Sequence, residues 1–223
     1  MKRILKVIGV CFTILFSLIF ILYLSLCIYI KSKEVKVDKS KLLEATNVSL
    51  SDRQILIASL VLNESSHPEF RNYFFLIHDA FSSEDIVALD VAFSYIGKYE
   101  GYRVMNSIDR QIAGLATKRY IMKHIDYRIC YNYLFSNIYF GANMFGLLDA
   151  SRFYYQKDYK KLDDKEFISL CLRLTNPHLY YGYENIDYDS FDEEHVESFK
   201  KQTAESIDRR NKKIEEICSK LEK

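Results

Sequence analysis

The feature that most restricts the fold is a stretch without any charged side chain, Val7 to Ile30, near the start of the chain. A helix crosses the hydrocarbon of a bilayer with about 20 apolar residues, and a single segment satisfies its backbone polar groups there only as a helix. The stretch ends in CIYIKSKEVK, without the small-residue exit of a cleavable signal peptide. We predict an uncleaved membrane anchor over residues 1–32 and a polar juxtamembrane linker over residues 33–50.

The remainder of the chain predicts one mostly α-helical domain. The alternation of apolar and polar residues that marks strands is nearly absent, and roughly 190 residues are enough for one hydrophobic core. The net charge of +1 provides no basic field for nucleic acid, so we expect no nucleic-acid partner. Cys130, Cys171 and Cys218 lack the spacing of a metal site, and we expect buried or free thiols.

Local signals define the expected helices. Ser51 and Asp52 begin one helix, Asp126 can cap another, and Asp163 with Glu166 has the spacing of a capping box. A helix that follows Asp163 must end before Pro177. The predicted helices cover residues 51–64, 83–97, 127–136, 145–155, 163–175 and 195–223.

Two glycines predict a sharp turn in front of the helix at 145–155. Gly141 and Gly146 are spaced so that the backbone can reverse between Phe140 and Phe145. At such positions a Cβ would cost stability, because glycine alone adopts the required backbone conformations readily.

The stretch from Tyr133 to Tyr180 carries a series of residues at fixed spacing. They are Ile138, Tyr139, Phe140, Gly141, Phe145, Gly146, Ala150, Tyr154, Tyr155, Lys157, Leu162, Glu166, Leu170, Asn176, Pro177 and Tyr180. This series resembles the C-terminal half of the peptidoglycan glycosyltransferase domain of monofunctional biosynthetic transglycosylases and class A penicillin-binding proteins. The resemblance implies a lysozyme-like helical domain, which we place at residues 51–182, before an acidic loop and charged C-terminal helix at 183–223.

The resemblance also implies a catalytic base at the end of the first helix of the domain. In the family this helix leads into a motif whose Glu is the base, and Glu64 occupies the matching helix end. The aromatic residues and the histidine of that motif, around His78, lie further along the chain than the family spacing from the Glu requires. If these residues are aligned with the family motif without a gap, Arg71 falls on the catalytic position. We prefer the alignment in which Glu64 is the base and is followed by an insertion. The alternative for Glu64 is an ordinary solvated carboxylate.

A basic helical face is the expected site for the pyrophosphate of a lipid-linked donor. Arg119 and Lys123 are four residues apart on one face of a helix, a spacing suited to phosphate, and Arg110 and Lys118 add to the positive charge. The alternative is a solvated basic face that binds nothing.

The chain departs from the family pattern in this same region. Two alignments are possible here, and each leaves one family motif missing. In one, Asn106, Ser107, Ile108 and Gln111 are the nearest to a glycine-containing motif but lack its paired glycines; in the other, counted back without gaps from Tyr133, Gly114 stands where the family has a second essential Glu. Ser136 replaces an Asn of the family. These departures leave the activity of the site open.

Three functions are compatible with these observations. The resemblance implies an enzyme that polymerises lipid-linked disaccharide-peptide into glycan chains. A catalytically inactive relative, which binds the precursor or a cell-wall synthase, is the alternative from another class. The third is a glycan-cleaving enzyme, which also needs one Glu in a helical domain. The stretch NESSHPEF superficially suits such an enzyme, but the series of residues from 133 to 180 does not fit one.

The resemblance sets the expected location and partners. Lysines follow the anchor, so the lysine–arginine bias does not favour an external C-terminus. The family resemblance, however, favours an external C-terminus. We therefore expect a single-pass protein of the bacterial inner (cytoplasmic) membrane with its domain on the outer, periplasmic side. The expected partners are the lipid-linked peptidoglycan precursor, the membrane and other cell-wall synthesis proteins. No cofactor is expected to be required, although a divalent cation can assist.

Overall fold

The computed structural model describes residues 2–65, 82–100, 106–175, 181 and 192–222, and it describes side chains for these residues except 2–13, 64, 65 and 100. Over the described ranges every regular element is a helix, no strand is present, and a single antiparallel bridge joins Tyr139 to Phe145. The predicted mostly α-helical fold behind an N-terminal apolar helix is confirmed.

The described α-helices follow one another along the chain. They are joined by a π-helical turn, Ile96–Glu100, and a short 3₁₀ helix, Tyr159–Lys161. The α-helices are α1 (Lys2–Ser32), α2 (Lys39–Glu44), α3 (Asp52–Ser65), α4 (Ser83–Tyr95), α5 (Ser107–His124), α6 (Tyr127–Asn137), α7 (Leu147–Tyr155), α8 (Asp164–Thr175) and α9 (Glu193–Leu221).

The core lies between α3, α4, α6 and α8. Helix α4 packs against α5 and α6, and α3 packs against α8 and α9. The largest fully buried side chains are aromatic, and the Phe135 ring stacks on the Phe167 ring at 5.8 Å. On α4 the buried face holds Val87, Ala88, Val91, Ala92 and Tyr95.

The helix starts form as the sequence predicts. The side chain of Asp126 accepts a hydrogen bond from the backbone N–H of Arg128 at the start of α6. At the start of α8, Asp163 accepts from the Glu166 N–H at 2.9 Å and Glu166 accepts from the Asp163 N–H at 3.0 Å. This exchange is the predicted capping box, and it satisfies donors that a helix terminus leaves unpaired.

The turn between Phe140 and Phe145 is confirmed as well. Gly141 and Gly146 both adopt positive φ, at 89° and 80°. A Cβ on Gly146 would lie 2.6 Å from the carbonyl oxygen of Ser136, whereas a Cβ on Gly141 would meet only the Tyr154 hydroxyl at 3.3 Å. Gly146 is therefore required by both its backbone conformation and its surroundings.

The segment predicted as a linker, residues 33–50, packs on the domain. Leu42 is fully buried, and Val37, Val48 and Leu50 are buried as well. Backbone N–H groups of the segment donate to side chains of the domain, including those of Asn47 and Val48 to the Ser136 hydroxyl. The domain boundaries stay a prediction, but this segment forms part of the hydrophobic core.

The C-terminal helix also contributes to the core. Helix α9 buries Ser206, Ile214 and Ile217 against α3 and α8. Cys130 and Cys171 are buried as free thiols, which agrees with the expectation for the cysteines, and burial raises the pKa of Cys130 to about 12.

Candidate functional site

Helix α5 carries all four basic residues of the predicted binding face and lies beside the end of the anchor. Lys33 donates to the Asp109 carboxylate at 3.0 Å, and the Tyr29 hydroxyl donates to its other oxygen. These hydrogen bonds, from Tyr29 and then from Lys33, hold the pKa of Asp109 below its usual range. The N–H of Val35 donates to the Thr117 hydroxyl on the same helix at 3.0 Å. The anchor and α5 are therefore fixed to each other.

Three of the four predicted basic residues are exposed. Arg110, Arg119 and Lys123 have exposed side chains on α5. Neither Arg119 nor Lys123 forms an ion pair with any residue the structure describes. These residues present positive charge on the helix that is hydrogen-bonded to Lys33 and Val35, just after the apolar helix α1.

Lys118 differs from the other three because it points into the protein. It is 8% exposed, and its ammonium group forms an ion pair with Asp85, the residue that completes the capping box of α4 with Ser82. Desolvation alone would raise the pKa of Asp85, but hydrogen bonds from Lys118 and Ser82 outweigh it and hold the pKa below the usual range. The ion pair of Lys118 with Asp85 therefore connects α5 to α4.

The position of Gly114 is closed by an aromatic ring. Gly114 is buried on α5, and a Cβ built on it would lie 2.4 Å from the ring of Phe93 on α4. A carboxylate side chain at this position would have to displace that ring. The packing around Gly114 therefore leaves no room for the acidic side chain that the family pattern has at this position.

Glu64 lies one residue before the end of α3 as the structure bounds it, Asp52–Ser65. The predicted helix end is confirmed, but the Glu64 side chain, Arg71, His78 and the aromatic stretch from Phe70 to Phe81 lie outside the described residues. The assignment of Glu64 as the base stays a prediction.

Sequence reasoning missed a groove of about 720 Å³ between α7, α8 and α9. Arg173 lies there between two aromatic rings, with its guanidinium carbon 3.8 Å from the centre of the Tyr154 ring and 3.5 Å from that of Tyr181. Arg210 covers Tyr181 at 4.7 Å, and Tyr181 hydrogen-bonds to Ser169. The only signal in the sequence was the i, i+4 pair of Ser169 and Arg173, whose neighbours from Phe167 to Leu174 are otherwise apolar.

Among the residues whose side chains are described, no group of His, Cys, Asp or Glu is placed to hold a metal ion. The expectations that no cofactor is required and that a divalent cation can assist both stay predictions.

With this geometry in place, comparison with known families is informative. Residues 115–207 match the family model of the transglycosylase domain. This stretch is similar to transglycosylase domains, and it makes up less than half of the chain. The match confirms the resemblance to the peptidoglycan glycosyltransferase domain family. No curated protein matches the chain.

The transglycosylase match covers one part of the candidate site and omits another. It contains the basic end of α5, with Lys118, Arg119 and Lys123, and it continues through the Gly141–Gly146 turn into α9. It starts after Gly114, and Glu64 lies further upstream. The match therefore includes three of the four predicted binding residues and excludes Arg110 and Glu64.

Proposed function

We propose that this protein is a membrane-anchored peptidoglycan glycosyltransferase that polymerises lipid-linked disaccharide-peptide into glycan chains. The observation that carries the proposal is the transglycosylase match over residues 115–207. The candidate membrane span, Ile14–Ser32, has a mean hydropathy of 2.3 and is not buried by the rest of the protein. A substrate whose lipid tail stays in the bilayer suits a domain held at the membrane by such a helix.

The basic face of α5 supports the proposed mode of binding. The lipid-linked precursor carries a pyrophosphate next to its lipid, at the level of the headgroups. Arg119 and Lys123 are exposed on the helix that is hydrogen-bonded to the end of the anchor. Charge-assisted hydrogen bonds from Arg and Lys to phosphate are among the strongest in proteins. We assign Arg119 and Lys123 to the pyrophosphate and leave Lys118 to its ion pair with Asp85. Arg110, nine residues before Arg119, lies on the opposite side of the helix and is proposed only to add to the positive charge.

Glu64 is proposed as the base. Chain extension requires removal of a proton from a sugar hydroxyl while it attacks an anomeric carbon, and the pyrophosphate leaves with the electrons of the broken bond. A carboxylate near the end of α3 can accept this proton if its pKa is raised towards the working pH by an apolar surround.

A second function is favoured by the packing at Gly114. The Phe93 ring fills the space where the family pattern expects a second acidic side chain. The protein could then bind the lipid-linked precursor, or a cell-wall synthase, without turning it over. The two functions share the binding face on α5 and differ only in whether product forms.

The decisive experiment incubates the full chain in lipid vesicles with labelled lipid-linked disaccharide-peptide and separates glycan polymers by length. The enzyme is supported if polymers form and Glu64→Gln abolishes them, while Glu197→Gln, a change to an exposed carboxylate on α9, leaves them unchanged. The binding protein is supported if the wild-type chain makes no polymer yet retains the labelled precursor. Absence of both polymer and retention would contradict either function.

A further inference from the structure

We propose that the groove between α7, α8 and α9 is a second binding site, which takes the peptide part of the disaccharide-peptide and holds a peptide carboxylate on Arg173 and Arg210. The identity of this ligand rests on the proposed function, whereas the site follows from the groove itself. The groove shares none of its lining residues with α5, so it is separate from the face assigned to the pyrophosphate.

The first step is the size and the walls of the groove. Its volume of about 720 Å³ lies within the roughly 300–1,000 Å³ of typical ligand sites. Phe153, Tyr154 and Tyr155 of α7 line it, and Ile214 of α9 adds an aliphatic surface. Phe153 is 53% exposed, so an aromatic face is accessible to a ligand. These walls suit the apolar parts of a short peptide.

The second step is the orientation of Arg173. Its guanidinium lies between the rings of Tyr154 and Tyr181, with its central carbon 3.8 and 3.5 Å from the ring centres. Stacking uses the two faces of this planar group, and its N–H donors point outward from the edge. Such an edge matches the two oxygens of a carboxylate.

The third step is the charge around Tyr181. Burial raises the pKa of Tyr181 to about 12, so its ring is a neutral phenol and not a counter-charge to the arginines. Arg210 approaches the same ring at 4.7 Å, which brings a second guanidinium to the groove. A guanidinium has five N–H donors, so each arginine can take a carboxylate in addition to its present contacts.

The acidic residues of the lining do not cancel this charge. Glu166 forms an ion pair with Lys157, and Glu215 forms one with Lys165 at 2.6 Å. Because each carboxylate already carries a lysine partner, the lining favours an anionic ligand over a cationic one.

The absence of tryptophan from the chain allows a direct measurement of binding. Phe153→Trp places a single fluorophore in the groove, and Ile108→Trp places one on α5, at a side chain that is 68% exposed. The full-length variants, in detergent micelles, are titrated with a soluble disaccharide-peptide that has neither lipid nor pyrophosphate. The same ligand with its peptide carboxylates converted to amides, and inorganic phosphate, are titrated in parallel.

We expect the soluble ligand to change the Phe153→Trp emission saturably and to leave the Ile108→Trp emission unchanged. Conversion to the amide should weaken binding at least about ten-fold, and so should Arg173→Gln combined with Arg210→Gln, because hydrogen bonds to charged groups are lost. Arg173→Lys should restore only part of the affinity, since an ammonium lacks the planar fork. Arg152→Gln, an exposed change on α7 outside the lining, is the matched control and should bind normally.

An unchanged Phe153→Trp emission, or equal binding of the acid and the amide, would overturn the proposal. Phosphate that binds as tightly as the peptide would overturn the assignment to a peptide. If circular dichroism shows that Arg173→Gln does not fold, Arg210→Gln alone and the amide comparison decide the matter.

The outcome can be separated from that of the proposed function, because the soluble ligand has no leaving group and cannot be polymerised. Retention of the lipid-linked precursor without binding of the soluble ligand would overturn this inference alone. Absence of both would overturn the inference and the proposed function together.

Discussion

At the scale of single residues, two glycines that share a turn differ in what they require. Both have positive φ, but Gly146 faces a backbone carbonyl and Gly141 faces the end of a tyrosine side chain. A Cβ added at Gly146 would clash with a backbone carbonyl that cannot easily move, whereas a Cβ added at Gly141 would meet the Tyr154 hydroxyl, which can move aside.

The two alanine substitutions should therefore differ in cost. Gly146→Ala adds a clash with the Ser136 carbonyl to an unfavourable backbone conformation, and it should lower the free energy of unfolding by about 3 kcal/mol or more. Gly141→Ala should cost about 1 kcal/mol, mainly for its φ. Denaturant unfolding of the full chain in detergent micelles measures both. Equal losses of unfolding free energy for the two variants would show that the Ser136 carbonyl can move away from the added Cβ at no cost.

Gly114 allows a test of whether the position aligned with the family's acidic residue is truly closed. Gly114→Ala gains about 1 kcal/mol of helix propensity but must displace the Phe93 ring, so we expect a net loss of about 1–2 kcal/mol. In the Phe93→Leu background the same substitution should be neutral or stabilising. The coupling between the two sites, measured as a double-mutant cycle of unfolding free energies, should exceed about 1 kcal/mol. Simple additivity would argue against the packing described.

At the scale of secondary-structure elements, the ion pair between Asp85 and Lys118 joins α4 to α5. Removing one partner of a buried pair leaves an uncompensated charge, so Lys118→Met should cost about 3 kcal/mol, while the same change at the exposed Lys123 should cost less than about 0.5 kcal/mol. The lowered pKa of Asp85 means that its contribution is present above its unfolded pKa and is lost as the pH falls through its lower folded value.

This pair also predicts a weaker pH dependence when Lys118 is removed. Without Lys118, burial is opposed only by the hydrogen bonds from Ser82, so the pKa of Asp85 is expected to be less depressed than in the wild-type chain. Lys118→Met should then gain stability relative to the wild-type chain as the pH is lowered towards 4, and Lys123→Met should follow the wild type. Unfolding curves at several acidic pH values test this. Parallel curves for all three proteins would contradict the role given to the pair.

The juxtamembrane segment makes a prediction through Ser136. Its hydroxyl accepts from the Asn47 and Val48 N–H groups at 3.0 and 3.2 Å, so Ser136→Ala leaves two backbone donors without a partner and should cost about 1–3 kcal/mol. Hydrogen exchange should accelerate at residues 47 and 48 first. Ser219→Ala, which removes only a bond within α9, is the control and should leave this exchange unchanged.

These elements show what the sequence could and could not predict. Capping residues such as Asp126 and Asp163, and the turn glycines, act on their immediate neighbours, so their roles were visible in the sequence. The burial of Lys118 and the docking of residues 33–50 depend on partners far away in the chain, Asp85 and Ser136 among them. A lysine on a helix gives no local sign that it points inward, so the sequence could not predict the ion pair of Lys118 with Asp85.

At the scale of the whole molecule, the anchor, the docked segment and α5 form one continuous structure. Val35 and Lys33 bind α5, and Leu42 and Leu50 are buried in the core. If α1 spans a membrane, as we propose, such a connection would fix the orientation of the domain to it, whereas a flexible linker would leave the domain free to tumble. The proposed function requires the basic end of α5 to be held where it can meet a lipid-borne phosphate.

The most direct test of this account measures the affinity of the full chain in lipid nanodiscs for labelled lipid-linked disaccharide-peptide. Replacing Arg119 and Lys123 together by Gln should weaken binding by roughly ten-fold or more, since each charge-assisted hydrogen bond to phosphate contributes about 1.5–3 kcal/mol. The matched pair Lys200→Gln and Lys212→Gln on α9, both exposed, should bind as the wild type does. Equal affinity in all three proteins would contradict the claim that α5 holds the precursor.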